Sequence, residues 1–140
     1  LYNAAKIAQA IDVINSKSDG LDAKVEMYGN NFSGGQKQRL SIARSLVKRA
    51  AILILDDASS ALDYRTDSKL REALKGIPGI TTFIVSQRIV SIKNADRIIV
   101  LDDGKIAGIG THKDLFENNL IYKEICTSQL SKEEGDLDER

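Results

Sequence analysis

The sequence has 140 residues, enough for one small domain with a core of its own. Twenty Lys and Arg balance twenty Asp and Glu, so no strongly basic field recommends nucleic acid as a partner. A single cysteine, Cys126, excludes an intramolecular disulfide, and no apolar run is long enough to cross a bilayer as a helix.

Residues 1–14 place Ile7, Ile11 and Ile14 at helical spacing among alanines and predict one amphipathic helix. It starts on an apolar Leu-Tyr pair without a cap, as a beginning cut from something longer would. A turn cluster at 15–20 follows, and 21–31 lead irregularly through Gly29 and Asn30 towards Ser33. Ser33 and Gln36 have the spacing of a capping box, in which serine and glutamine satisfy each other's backbone donors. Gly34 and Gly35 between them lose backbone entropy and offer nothing to pack, which makes sense if another group must approach the backbone. A helix N-terminus presents free N–H groups and the positive end of its dipole, so the natural visitor is a phosphate.

Residues 36–48 continue as a helix with Leu40, Ala43 and Val47 on one face. The apolar run 50–55 predicts a strand buried on both faces of a parallel sheet. Asp56 and Asp57 end it at the edge where α/β sheets bind ligands. Residues 64–75 read as a helix with Leu70, Ala73 and Leu74 towards the sheet, stopped at 76–79 by glycines and the only proline. A β-rich run at 80–85 ends at Ser86, Gln87 and Arg88, a short helical segment reaches Asn94, and 97–101 give a third strand. Asp102, Asp103 and Gly104 carry a hairpin signal that pairs 105–110 antiparallel with 97–101. Thr111 and Asp114 form the next cap, and two short helices fill 113–129 with an interruption at Asn118 and Asn119. The charged stretch 131–140 lacks a hydrophobic face and reads as a frayed tail. His112, the only histidine, takes a surface helix position with no His/Cys cluster around it, and Cys126 is a small apolar helical residue.

The stretch 31–63 resembles the nucleotide-binding domain of ABC transporters. Ser33, Gly34, Gly35 and Gln36 match the family's signature loop, 52–56 its Walker B strand and 60–63 its D-loop. Three motifs in the right order and at the right separation make the likeness specific, and it extends over about residues 1–129. It implies an α/β fold of the P-loop NTPase (ABC ATPase) type, a parallel sheet with a helical signature subdomain. No G-x-x-x-x-G-K-[ST] occurs, so the fold is expected to be incomplete for want of the Walker A half. On this reading 1–49 form the helical subdomain, 50–130 the C-terminal part of the ATPase core and 131–140 a disordered tail.

Roles carry over from the resemblance residue by residue. Asp56 matches the aspartate that holds Mg²⁺, and Asp57 stands where the family usually has the glutamate that polarises the attacking water. Gln87 stands at the switch histidine, where an amide still donates a hydrogen bond but cannot become cationic. Two departures at one catalytic station resemble the degenerate half of heterodimeric exporters. The signature residues would serve the ATP site of the opposite subunit, and Asp63 would communicate between the facing sites while capping its helix. Met27 aligns with a glutamate that contacts the membrane subunits in exporters. The stretch 94–115 looks most like exporters of drugs, lipids or peptides.

The function so implied is ATP binding and hydrolysis that powers export through ATP-driven dimerisation. ATP and Mg²⁺ are the expected cofactors. The partners would be a second nucleotide-binding domain and transmembrane domains, with no nucleic acid, at the cytoplasmic face of the cell membrane. The chain alone is not expected to be active. Alternatives are a catalytically weak regulatory half-site and an ABC-type ATPase of DNA repair; the heptads or DNA-binding domains that would favour the latter do not occur.

Overall fold

In the computed structural model, which describes residues 1–138 and the side chains of residues 1–129, the first predicted helix is two. Helices α1 (Tyr2–Ile7) and α2 (Ile11–Asn15) meet at Gln9, whose φ of 55° is left-handed. The Ala10 N–H reaches back to the Ala5 carbonyl at 2.8 Å and the Gln9 N–H to that of Lys6 at 3.1 Å, bonds that close a helix end. Ala4, Ala5, Ala8 and Ala10 are all buried. Such small side chains let α1 lie close against α3 (Gly34–Leu46), which opens with both glycines inside its first turn.

Helix α3 buries Ile42 and Ala43 in one core with Leu53 and Leu55 of strand β1 (Ile52–Asp56) and Leu70 and Leu74 of α4 (Tyr64–Lys75). Strand β2 (Thr81–Val85) pairs with β1 in parallel, Ile52 opposite Thr81 and Asp56 opposite Val85. This pair corrects the expectation of a strand buried on both faces. Leu53 and Leu55 are buried, whereas Ile52, Ile54, Phe83 and Val85 are each more than half exposed. Side chains alternate along a strand, and the described elements cover one face only.

The chain divides into two compact units, Leu1–Val85 and Ser86–Arg140. The division falls after Val85 and not after Arg49, where the motifs suggest a boundary, because α3 shares its core with β1 and α4. In the second unit α5 (Ile89–Ile92) precedes a hairpin of β3 (Ile98–Asp102) and β4 (Lys105–Gly110). Asp103 and Gly104 have φ of 45° and 71°, the two positive values that a tight type I′ hairpin turn demands. Helices α6 (His112–Asn118) and α7 (Leu120–Asp138) follow, and Ile98, Val100, Leu115, Tyr122 and Cys126 form the core.

Asn119 makes the break between these helices. Its Nδ2 donates to the Ala107 carbonyl at 2.9 Å, and its Oδ1 accepts the Tyr122 N–H at 2.9 Å. A Cβ on Gly108 would stand 2.5 Å from that Nδ2, so glycine is what lets β4 receive the side chain. The frayed tail expected from 131 is helical to Asp138, since Lys132, Glu133 and Glu134 are good helix formers that extend α7. Residues 139–140 lie outside the described residues.

Candidate functional site

Ser33 is the N-cap of α3. Its Oγ accepts the Gln36 N–H at 3.3 Å, and Gln36 Oε1 accepts the Ser33 N–H at 2.9 Å, so both bonds of the capping box are present. The Ser33 hydroxyl proton remains available to a visitor. Among the described residues the N–H groups of Gly34 and Gly35 have no partner, as the first turn of a helix leaves them. The room at the glycines is used in part by the chain itself. A Cβ on Gly35 would meet the Ala61 carbonyl oxygen at 2.9 Å, while one on Gly34 would meet only the Ala61 Cβ at 3.9 Å.

The approach to Ser33 is held by polar bonds that sequence patterning does not reveal. Asn31 Oδ1 accepts the Glu26 N–H at 3.2 Å, and its Nδ2 donates to the Lys24 carbonyl at 2.9 Å. Lys17 donates to the Asn31 carbonyl at 3.1 Å and lies 4.6 Å over the Phe32 ring. From the far side Arg39 Nη1 donates to the Gln9 carbonyl at 2.6 Å and pairs with Asp12 at 2.8 Å, fixing the α1–α2 corner to α3. Met27 and Tyr28 are strongly exposed on the approach, with Tyr28 at a φ of 57°.

Asp56 closes β1 and Asp57 turns out of it with a φ of 46°. The Asp57 N–H still reaches the Val85 carbonyl at 3.0 Å. Its own carbonyl accepts from Ser60 N at 3.2 Å, Ser60 Oγ at 2.9 Å and Gln38 Nε2 at 3.1 Å. Both carboxylates are exposed and, among the described residues, take no hydrogen bond or ion pair. Gln38 is the residue that sequence reasoning missed. Its Oε1 also accepts the Ala61 N–H at 3.2 Å, so one amide joins α3 to both ends of the turn after β1.

Asp63 caps α4, with Oδ1 accepting the Thr66 N–H at 2.9 Å and Oδ2 the Thr66 hydroxyl at 2.8 Å. Those bonds, the backbone one first, hold its carboxyl below the usual carboxylate value. Gln87 belongs to the second unit, where its side chain is exposed and its carbonyl accepts from the Gln129 amide. His112 is anchored and not a plain surface residue: its Nδ1 lies 2.9 Å from the Tyr122 hydroxyl. Burial, followed by the neighbouring Cys126, pushes the Tyr122 phenol up to about 12. Burial also raises the Cys126 thiol, which keeps it protonated and inert.

Among the described residues no group of three or more His, Cys, Asp or Glu could hold a metal by itself. The exposed Asp56 carboxylate offers oxygen donors only, which suits a hard cation that keeps its waters and takes further ligands from phosphate. That is the preference of Mg²⁺, and Asp56 fits it.

Residues 3–60 match the family model described as ABC transporter. The chain is 44% identical over 133 residues to an uncharacterized ABC transporter ATP-binding protein of Bacillus subtilis (strain 168), a match covering 95% of this chain and 23% of that protein. It is 43% identical over 132 residues to an ATP-dependent lipid A-core flippase of Alkalilimnicola ehrlichii, covering 94% of this chain and 22% of the flippase. The solved structure of a bacterial Atm1-family ABC exporter with ATP bound superposes with a TM-score of 0.85 at 39% identity, over 90% of this chain and 22% of that one. The fold is accordingly the α/β fold of the ABC-type ATPases. Over most of its length the chain resembles the ATP-binding proteins of ABC transporters, an exporter among them. It spans less than a quarter of the length of these relatives. Among the described residues no helix is long and apolar enough to cross a membrane.

Proposed function

We propose that this chain contributes the signature loop, Walker B strand, D-loop and switch loop of an ATPase that powers export across the cell membrane by ATP-driven dimerisation. The observation that carries this reading is a pair of unspent polar features in one unit. The Gly34 and Gly35 N–H groups and the Asp56 and Asp57 carboxylates have no partner among the described residues, yet α3 and the turn after β1 are bonded to each other. Free donors at a helix start suit the phosphates of one nucleotide and exposed carboxylates suit the cation of another, as two facing sites require.

In this reading Ser33, Gly34, Gly35 and Gln36 present the α3 N-terminus to the ATP of a second nucleotide-binding domain. Asp56 would hold Mg²⁺, which when bound would neutralise phosphate charge. Asp57 orients the attacking water from one methylene further back than a glutamate, while Gln87 offers a hydrogen bond to the terminal phosphate without a proton to shuttle. Asp63 links the facing sites from its place at the start of α4. The work would be done at the cytoplasmic face of the membrane, beside transmembrane domains. The named lipid flippase among the relatives favours an amphiphile as cargo.

Asp56→Asn tests the reading in the complete transporter subunit. It should abolish the Mg²⁺ dependence of ATP binding while leaving the fold intact, measured by equilibrium nucleotide binding with and without Mg²⁺. Equal Mg²⁺ dependence in the variant and the wild type would refute the role of Asp56. Asp57 and Gln87 favour a second reading, a weak site that regulates more than it hydrolyses.

A further inference from the structure

We propose that Gln38 is a positioning residue that locks the turn carrying Asp57 to the start of α3, making the signature end and the carboxylate end of this unit move as one. The proposal rests on the ATPase reading above. Its ground is the pair of hydrogen bonds made by one amide. Gln38 Nε2 donates to the Asp57 carbonyl at 3.1 Å, and Oε1 accepts the Ala61 N–H at 3.2 Å. A backbone carbonyl demands a donor and a backbone N–H demands an acceptor, so one orientation of the amide satisfies both. Glutamate would lose the first bond and lysine the second.

The contact has a second, steric half. Ala61 turns its N–H to Gln38 and seats its carbonyl oxygen where a Cβ on Gly35 would stand, at 2.9 Å. Ala61 is thus bonded to α3 through its N–H, and its carbonyl stands close against the Gly35 backbone. Any shift of the α3 N-terminus must drag Ala61 or break the bond.

Asp57 completes the link. With a φ of 46° Asp57 lies in the left-handed region, which few L-residues other than asparagine and aspartate enter readily. Its N–H is held by Val85, and its carbonyl accepts Ser60 and Gln38. The backbone is fixed on both sides while the carboxylate stays open. With an aspartate in place of a longer acid, the position of that backbone sets how far the carboxylate reaches, so Gln38 tunes the weak station directly.

The test uses the complete transporter with Gln38→Met, which keeps the side-chain volume and loses both bonds, and Gln38→Glu, which keeps only the acceptor facing Ala61. Turnover of MgATP, equilibrium MgATP binding and hydrogen exchange of the peptide spanning residues 59–63 are measured on each. In both variants kcat should fall roughly tenfold to a hundredfold, as a small misplacement of a catalytic group does. The dissociation constant should stay within about twofold, because ground-state binding is not what the bond provides. Exchange of the 59–63 peptide should accelerate roughly tenfold in Gln38→Met and much less in Gln38→Glu, where Ala61 keeps its acceptor. Wild-type turnover in Gln38→Met would overturn the proposal, and so would a loss of turnover matched by an equal loss of binding. A wild-type transporter with no ATP turnover would instead overturn the ATPase reading, and this proposal with it.

Discussion

At Asp63 one carboxylate closes the first turn of α4 through two bonds to Thr66, and those bonds depress its pKa. Asp114 does the same for α6, its carboxyl lowered by the Thr111 hydroxyl and backbone. A depressed folded pKa means that the unfolded chain takes up the proton first. The stabilisation is therefore complete above the ordinary carboxylate value of 3.8 and is lost as pH falls through the lower folded values. Asp63→Asn should flatten the acid limb of stability against pH, read from urea unfolding at a series of acid pH values. An acid limb as steep as that of the wild type would show that the cap carries no such linkage. The cap was legible in the sequence because its partner stands three residues away. Gln38 was not, since its partners Asp57 and Ala61 lie across a strand and a turn, and no periodic pattern marks an amide that reaches that far.

Whole elements follow the same rule of locality. Helix Tyr64–Lys75 and the hairpin around Asp103 and Gly104 stand where the sequence put them, because a cap aspartate, helical spacing and a two-residue turn act within a few residues. The helix predicted over 1–14 breaks at Gln9, because that corner depends on Arg39 thirty residues on. Leu70 is the element-level anchor of the first core, 2% exposed between α4 and the sheet. Leu70→Ala should cost about 2–5 kcal/mol, the range for emptying a buried leucine site. Chemical denaturation of the complete protein measures it, and a loss below about 1 kcal/mol would mean that the core collapses freely into the gap.

For the molecule as a whole, the uncovered face of the β1–β2 pair is the largest departure from what a parallel sheet requires. Ile52, Ile54, Phe83 and Val85 stand on or around it exposed, whereas parallel strands are normally covered on both sides. The chain spans less than a quarter of its relatives, and in the full-length protein this face should be packed. Ile54→Lys should therefore lower the melting temperature of the complete protein, while an unchanged melting temperature would mean that the face meets water. The family and fold were legible because 31–63 carry their motifs contiguously. The partition into units was not, because burial of α3 against β1 and α4 is decided by packing across the chain.

On the proposed function, the turn after β1 is a weakened ATP-hydrolysing station. Single-turnover ATP hydrolysis at this subunit's site in the complete transporter, compared between wild type and the double variant Asp57→Glu with Gln87→His, tests it most directly. A gain of roughly tenfold or more is predicted, from a carboxylate brought within reach of the water and a side chain able to carry a proton. Unchanged hydrolysis in the double variant, with nucleotide still bound, would contradict it.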